Sequence, residues 1–324
     1  MHFQSNPKAS SVFHTTPDLY AAAAKRHRDV SRYVDATMSM DLDHLETHLR
    51  DADVLVGFRF PRARLASRAP RLQWIHIIGA GVEHLRPFDW LPPGVKLVNN
   101  RGVHAPKAGE FAAMAILMLN NALPAVITNQ RQRRWEEIFS TPVTGKTLVV
   151  VGVGQMGGAA ARHAKRLRMH VLGVRRSGRP HRYVDEMFTP RDLQRILPRA
   201  DFLVATTPLT RETHQLLGRR ELDLLPPHAG LINMSRAEVI DYEALAAKLA
   251  RGELSGALLD VFEPEPLPSK SPLWSTPRLI ITPHIGSDDA EQYMPLTLDL
   301  LFDNVRRRLA GRPLRNLVDP GREY

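Results

Sequence analysis

Three side chains in the second half of the chain have the chemistry to bind a carboxylate and to transfer a proton. Arg236, Glu265 and His284 each follow a short apolar run that is typical of a buried strand. Because the carboxyl ends of parallel strands meet at one edge of a sheet, we expect the three groups to face one cleft. An arginine binds a carboxylate, an imidazolium protonates a ketone oxygen as hydride arrives, and a carboxylate keeps that imidazole charged and oriented. The set predicts the reduction of a 2-oxo acid.

Each of these residues also has a simpler structural interpretation. A single histidine at a strand end is most often an ordinary polar side chain, and an arginine in a cleft can serve a structural ion pair. Glu263 lies two residues before Glu265 and is its main rival as the partner of the histidine. The residues alone leave that choice open, whereas the occurrence of the three group types together favours the catalytic interpretation.

A glycine-rich turn precedes these residues and predicts a dinucleotide site. Its G-x-G-x-x-G pattern consists of Gly152, Gly154, Gln155, Met156 and Gly157, with Val153 between the first two glycines. An apolar strand comes before it and a helical run follows at 159–167, so the helix N-terminus offers its free N–H groups to a diphosphate. The first glycine allows the tight turn, the second lets the backbone approach the diphosphate, and the third lets helix pack on strand. A purely structural turn is the alternative.

The residues that follow the second strand of this unit indicate which cofactor binds. Arg175, Arg176 and Ser177 begin 18 positions after Gly157, where NAD-selective sites carry an acidic residue that holds the ribose 2′-hydroxyl. Two guanidinium groups and a hydroxyl form a clamp for a 2′-phosphate, because arginine binds phosphate through two parallel hydrogen bonds. The pattern therefore predicts NADP(H), with NAD(H) as a second possibility. A solvated loop in an arginine-rich protein is the structural alternative.

The amino-acid composition excludes several kinds of site and of protein. The chain has 324 residues, enough for two domains, and it has no cysteine, which excludes disulfides, thiol nucleophiles and Cys-ligated metals. No apolar run approaches the roughly 20 residues that span a bilayer, and the longest, 112–119, predicts a buried helix segment. The N-terminus lacks a cationic segment followed by an apolar one, so we expect no signal peptide and a cytoplasmic location.

The formal net charge of +10 admits two interpretations. Because lysine and arginine are spread along the chain, we expect the charge to attract anionic substrates and cofactors, without a nucleic-acid or membrane partner. Nucleic-acid binding is the weaker alternative, since no recognisable motif supports it. His44 and His48 have a spacing that can ligate metal, but no third ligand is evident and we predict no metal site.

Periodicity predicts alternating strands and helices, which is typical of parallel βαβ units. A long helix is expected from about 107 to 135 with a kink at Pro124, and the proline-rich stretch 263–272 is expected to be a loop. The predicted strands are 53–57, 72–78, 97–100, 147–151, 169–174, 202–206, 230–233, 255–259 and 279–282.

These motifs together resemble the D-isomer-specific 2-hydroxyacid dehydrogenase family over nearly the whole chain, and least over the first 35 residues, which we do not interpret. The resemblance lies in the glycine loop, the Asn233-x-x-Arg236 strand end, and Asp-Val-Phe-x-x-Glu-Pro-Leu from Asp260 followed by Thr-Pro-His. Ala237 departs from the family, which usually has glycine after the arginine. This departure changes backbone freedom and leaves the reactive groups intact.

The resemblance implies an α/β fold in which a Rossmann-type doubly wound parallel sheet binds the cofactor and a smaller flavodoxin-like domain binds substrate. The smaller domain is expected over 1–103, completed by 286–324, and the cofactor domain over 104–285. The resemblance also implies a homodimer, and Trp135 packs either in its interface or in the core. It implies roles for the following residues: Arg236 as substrate arginine, Glu265 as the glutamate, His284 as acid and base, Ala80 and Gly81 as substrate-carboxylate ligands, and Thr207, Pro208 and Asp260 at the cofactor.

The resemblance implies an enzyme that uses NAD(P)H to reduce glyoxylate, hydroxypyruvate or a similar 2-oxo acid to the D-2-hydroxy acid. A protein of another class remains as an alternative. The same fold hosts NAD(P)(H)-sensing corepressors, in which cofactor binding switches a protein contact, and fold alone does not separate the two. The retained arginine, glutamate and histidine favour the enzyme.

Overall fold

The computed structural model describes residues 1–40 and 45–324, and the chain divides into two compact units. The first unit consists of Met1–His104 with Asp289–Tyr324, and the second of Ala105–Asp288. His44, weighed above as half of a metal-binding pair, lies outside the described residues. Within the described residues no group of three or more His, Asp or Glu side chains is arranged to hold a metal ion.

The sheet of the first unit has five parallel strands: β1 (His2–Gln4), β2 (Thr37–Ser39), β3 (Val54–Gly57), β4 (Trp74–Ile77) and β5 (Lys96–Val98). Their order is β2-β1-β3-β4-β5, the flavodoxin-like order 2-1-3-4-5. The helices of this unit are α1 (Pro17–Arg26), α2 (Arg28–Ser31), α3 (Leu45–Leu49), α4 (Leu65–Arg68) and the C-terminal helix (Tyr293–Leu309). The predicted fold class of the smaller unit is confirmed.

Residues His2–Gln4, within the segment that the sequence left uninterpreted, form an inner strand of this sheet. Strand β1 pairs with β2 on one side and β3 on the other, and all three of its residues are buried. Phe3 packs in one cluster with Leu298 and Phe302 of the C-terminal helix. A three-residue strand that contains His2 and Gln4 lacks the apolar run by which the other strands were found.

The sheet of the second unit has seven parallel strands: β6 (Thr147–Val151), β7 (His170–Val174), β8 (Glu186–Phe188), β9 (Phe202–Ala205), β10 (Gly230–Asn233), β11 (Gly256–Leu259) and β12 (Leu279–Ile281). Their order is β12-β11-β10-β9-β6-β7-β8. Counted from β6, the first six strands follow the Rossmann order 3-2-1-4-5-6, which confirms the predicted doubly wound sheet. The sequence missed β8, a short edge strand whose three residues are all half-buried.

Helices cover both faces of this sheet: α5 (Ala105–Asn120), α6 (Leu123–Arg131), α7 (Gln155–Arg166), α8 (Leu193–Ile196), α9 (Arg219–Asp223) and α10 (Tyr242–Arg251). Successive strand residues point to opposite faces. Leu148 and Val150 of β6 therefore pack with α5 and α7, whereas Val149 and Val151 pack with α8, α9 and α10. Because both faces are buried, the inner strands β6, β9, β10 and β11 are mostly apolar runs.

The long helix predicted over 107–135 is wrong in its extent. Helix α5 ends at Asn120, Ala122 adopts a left-handed conformation (φ 50°), and α6 ends at Arg131. Pro124 does not kink a continuous helix, because it lies in the first turn of α6, where its missing N–H is tolerated. Among the described helices none is by itself long and apolar enough to cross a bilayer. The pair α5 and α6 meets that test only together, with a bend of 62° between them.

Candidate active site

The glycine loop joins β6 to α7 and has the shape that a diphosphate requires. Gly152 has φ +103°, and a Cβ there would lie 2.7 Å from the backbone nitrogen of Thr207. A Cβ at Gly157 would collide with the carbonyl of Gly152, whereas the space beside Gly154 is open. Helix α7 begins without a side-chain cap, so the N–H groups of its first turn are left for a ligand. These features fit a dinucleotide phosphate at the start of α7.

Two further predicted cofactor segments lie beside this loop. The backbone N–H groups of Gly152 and Val153 donate to the carbonyl of Val174 at 2.9 and 3.0 Å. Arg175, which follows Val174 in the chain, therefore lies beside the glycine loop. Arg176 and Ser177 follow on the surface. On the other side the hydroxyl of Thr206 donates to the carbonyl of Gly152 at 2.8 Å, which brings the following residues, Thr207 and Pro208, to the same end of the sheet.

His284 and Glu265 form a hydrogen-bonded pair at that edge. Nδ1 of His284 lies 2.8 Å from Oε2 of Glu265, and Oε1 of Glu265 accepts a hydrogen bond from the N–H of Phe262 at 2.8 Å. Both side chains are a little over one-third exposed, which leaves Nε2 of the imidazole for a ligand. The carboxylate partner of the histidine is thus Glu265, the choice that the residues alone left open against Glu263.

Asp260 holds the turn on which His284 lies. Its Oδ1 accepts hydrogen bonds from Oγ1 of Thr282 at 2.7 Å and from the N–H of Ile285 at 3.0 Å. Its Oδ2 accepts from the N–H of Gly286 at 2.9 Å. His284 itself has φ 54°, an uncommon conformation for a residue other than glycine, and these hydrogen bonds on both sides stabilise it. The sequence indicated Asp260 only as a cofactor residue and missed this contribution to the turn.

Electrostatics favour the charged form of both members of the pair. The hydrogen bond that His284 donates to Glu265 raises the pKa of His284 against the opposing effect of burial, and the charge of Glu265 adds to the rise. Burial alone would raise the pKa of Glu265, but the hydrogen bonds from His284 and Phe262 outweigh it and the net shift is downward. Arg236 lowers both pKa values, which puts its guanidinium within electrostatic reach of the pair. The imidazole is therefore poised to donate a proton.

Arg236 itself lies three residues beyond the end of β10. Its side chain is half-buried, and its Nη1 donates to the carbonyl of Ser235 at 2.7 Å. The second unit thus brings together, at the carboxyl edge of one sheet, all three groups that the sequence selected for the chemistry.

Ala80 and Gly81 lie in the first unit, in the loop that follows β4. The carbonyl of Ala80 accepts a hydrogen bond from Nδ2 of Asn99 at 2.9 Å. Asn100 donates from Nδ2 to Ile78 at 2.8 Å and from its backbone N–H to Gly79 at 2.9 Å. The two asparagines were not selected from the sequence. They could have been found from their position, because two amide side chains directly after an apolar strand often form hydrogen bonds to a neighbouring loop.

Comparison with known proteins identifies the family to which a chain with this site belongs. Residues 113–286 match the model of the NAD-binding domain of D-isomer specific 2-hydroxyacid dehydrogenases. The chain is 34% identical over 260 residues to a glyoxylate/hydroxypyruvate reductase B of Pectobacterium atrosepticum, covering 78% of this chain and 80% of the relative. The chain belongs to the D-isomer-specific 2-hydroxyacid dehydrogenase family.

Solved structures of 2-hydroxyacid dehydrogenases match along the whole chain. A D-isomer specific 2-hydroxyacid dehydrogenase of Xanthobacter autotrophicus, in complex with NADPH and MES, has 27% identity and a TM-score of 0.84, with 100% of this chain and 99% of that one covered. An NADPH-dependent glyoxylate/hydroxypyruvate reductase of Sinorhizobium meliloti, with NADP and sulfate, has 26% identity and a TM-score of 0.82 at the same coverage. The family assignment thus extends over both units.

Proposed function

We propose that this 2-hydroxyacid dehydrogenase uses NADPH to reduce a small 2-oxo acid, glyoxylate or hydroxypyruvate or one of similar size, to the D-2-hydroxy acid. The observation that carries the proposal is the His284–Glu265 pair, 2.8 Å apart, at the sheet edge that also bears the glycine loop. Relatives named glyoxylate/hydroxypyruvate reductase support the substrate class. The D configuration comes from the family alone.

The chemistry of the pair follows from its hydrogen bonds. The glycine loop and Arg175 would hold NADPH, which would supply a hydride for the carbonyl carbon of the oxo acid. Nδ1 of His284 is engaged by Glu265, so the proton on Nε2 passes to the carbonyl oxygen, which becomes the hydroxyl. The negative charge of Glu265 stabilises the imidazolium before transfer and orients its ring. Arg236 binds the substrate carboxylate, with Ala80 and Gly81 as further predicted ligands.

A panel of 2-oxo acids assayed with NADPH and with NADH tests this function directly. We expect oxidation of NADPH with glyoxylate or hydroxypyruvate, measured by the loss of nicotinamide absorbance. Tight binding of NADPH without turnover of any oxo acid in the panel would contradict the proposal and favour the cofactor-sensing alternative. The names of the relatives do not favour that alternative.

Charge around the predicted 2′-phosphate clamp supports NADPH over NADH. Residues 155–199 carry eleven lysines and arginines against three acidic residues, so this stretch holds most of the formal charge of +10. Each of the three acids contacts a cation of its own: Asp185 with Lys165, Glu186 with Arg199, and Asp192 with Arg195. Burial lowers the pKa of His181, and the nearby charges of Arg175 and Arg182 lower it further, so positive charge is present beside Arg175 and favours the more anionic cofactor.

Replacing Arg175 with Asp is expected to reverse the cofactor preference. The change removes a charge-assisted hydrogen bond worth about 1.5–3 kcal/mol, so kcat/KM for NADPH should fall roughly 10- to 100-fold. The value for NADH should change little or rise, because the new carboxylate can bind a ribose hydroxyl. Steady-state kinetics with both cofactors measure the effect. Arg191→Asp, an equal charge change at an exposed site beyond β8, is the control, and equal losses with both cofactors in Arg175→Asp would refute the clamp.

We also propose a homodimer that forms through one apolar face of the second unit. Trp135 and Phe139 are 95% and 88% exposed, and Met114 and Leu117 of α5 are 42% and 40% exposed, although the other face of the predicted buried segment 112–119 is buried. Ser140 Oγ lies 3.2 Å from Asn121 Oδ1 and holds this loop at the end of α5. Large exposed aromatic side chains on a loop anchored at the end of α5 mark an interface, and the family resemblance makes a second copy the partner.

Substitutions in the proposed dimer interface are expected to change the mass of the protein in solution. Trp135→Glu combined with Phe139→Ser should convert the protein from dimer to monomer in size-exclusion chromatography with light scattering, because a charge on the apolar face prevents its burial. Trp274→Glu, at another exposed tryptophan of the same unit, should leave the mass unchanged. A monomeric parent protein at micromolar concentration would disprove the proposal. The cytoplasmic location stays a prediction.

A further inference from the structure

One hydroxyl group connects the two turns that carry Arg236 and Glu265. It belongs to Tyr242, the first residue of α10. Oη of Tyr242 accepts a hydrogen bond from Nδ2 of Asn233 at 2.8 Å and donates to the carbonyl of Val261 at 2.8 Å. These directions are forced, because an amide nitrogen only donates and a carbonyl only accepts. The single proton of the hydroxyl therefore points at Val261, and both capacities of the group are used.

On one side this hydroxyl anchors the turn of Arg236. Asn233 is the fully buried last residue of β10, and its Nδ2 also donates to the carbonyl of Arg236 at 3.0 Å. Its Oδ1 accepts from the backbone N–H and the hydroxyl of Ser235 at 3.0 and 2.6 Å. The side-chain amide of Asn233 thus holds the turn that carries Arg236 through these hydrogen bonds. Loss of the hydroxyl of Tyr242 would leave one buried amide proton without its acceptor and weaken the hold of Asn233 on the turn of Arg236.

On the other side the hydroxyl anchors the segment that orients Glu265. Val261 receives the hydrogen bond, and the ring of Phe262 packs edge-on against that of Tyr242 with 6.2 Å between the centroids. The N–H of Phe262 is the group that donates to Oε1 of Glu265. A displacement of Val261 and Phe262 therefore moves the donor that aims the carboxylate at His284.

The hydroxyl keeps its proton under all conditions in which the enzyme would be assayed. Burial raises the pKa of Tyr242 against the opposing hydrogen bond from Asn233, and the negative charges of Glu265, Asp260 and Glu238 raise it further. The hydrogen bond to Val261 is for this reason a constant feature of the site and does not titrate.

We propose that Tyr242 is a positioning residue that fixes the turn of the substrate arginine relative to the turn of the glutamate that charges His284. The inference rests on the proposed function, because Tyr242 acts only through Arg236 and Glu265. The hydroxyl of Tyr242 then controls two properties that are otherwise separate, which are the affinity for the oxo acid and the pH at which activity is lost.

Tyr242→Phe tests this inference because it removes the hydroxyl and keeps the ring against Phe262. We expect kcat/KM for the 2-oxo acid to fall about tenfold, the ratio that corresponds to about 1.4 kcal/mol. Both KM and the pH profile should change, with the alkaline loss of activity beginning at lower pH. Ser255→Ala is the matched control, since the hydroxyl of Ser255 donates to Ala229 at 2.9 Å and joins the amino ends of the same two strands. It should lower thermal stability without moving KM or the pH profile.

A second variant separates the two sides of the network. Asn233→Ser removes the donor to Arg236 but leaves the hydrogen bond from Tyr242 to Val261, so it should raise KM more than it moves the pH profile. Tyr242→Phe with the KM and pH profile of the parent, even at lower thermal stability, would overturn the inference. That result is distinct from a failure of the proposed function, in which the parent protein itself would reduce no 2-oxo acid.

Discussion

His284→Asn is expected to lower kcat for oxo-acid reduction by about 10²–10⁴-fold, the range that general acid–base catalysis contributes. Asparagine is chosen because it tolerates the left-handed backbone conformation of this position (φ 54°), so the turn held by Asp260 should survive. The variant loses the group that donates the proton, while the glycine loop that binds the cofactor is untouched. Stopped-flow measurement of hydride transfer, with NADPH binding followed by fluorescence, would separate the two effects.

A histidine elsewhere in the same unit provides the control. Nε2 of His228 lies 3.1 Å from Oδ1 of Asp201, and His228 precedes β10 at the opposite, amino edge of the sheet. His228→Asn removes a similar histidine–carboxylate pair and should leave kcat unchanged. If His284→Asn retained the parental kcat with NADPH and oxo acid saturating, the assignment of the proton donor would be wrong.

Glu265→Gln is expected to shift the pH dependence of the reaction to lower pH. The parent should lose activity as pH rises through the raised pKa of His284, because only the protonated imidazole can donate. The hydrogen bond that His284 donates to the carboxylate of Glu265 is the largest cause of that rise, so replacing the carboxylate lowers the pKa and the decline begins at lower pH. On the alkaline side kcat/KM should fall roughly 10- to 100-fold, as expected for a charge-assisted hydrogen bond of about 1.5–3 kcal/mol.

Glu263→Gln is the matched control, since it makes the same change two residues earlier on the exposed part of the loop. Its profile of kcat/KM against pH should coincide with that of the parent. If the profiles of Glu265→Gln and the parent coincide as well, the glutamate does not set the protonation of His284.

The amino-acid sequence by itself determined the elements whose signals are local. Apolar runs located β6, β9, β10 and β11 because both faces of a parallel sheet are buried, which leaves little room for polar residues. The glycine loop could be identified because a tight turn against a phosphate tolerates almost no side chain. Arg236, His284 and a glutamate at position 263 or 265 were selected because three different reactive groups each followed a strand, and the family resemblance implied Glu265.

The tertiary structure alone decided the features that depend on distant neighbours. Strand β1 is polar and short, and it is a strand because β2 and β3 lie on either side of it and supply its hydrogen bonds. The break before α6 results from the left-handed Ala122, which no periodicity reveals. The choice of Glu265 over Glu263 as the partner of His284, and the bridge made by Tyr242, depend on distances across turns that residue spacing does not encode. Local composition thus identifies the groups, whereas packing between distant segments fixes which atoms meet.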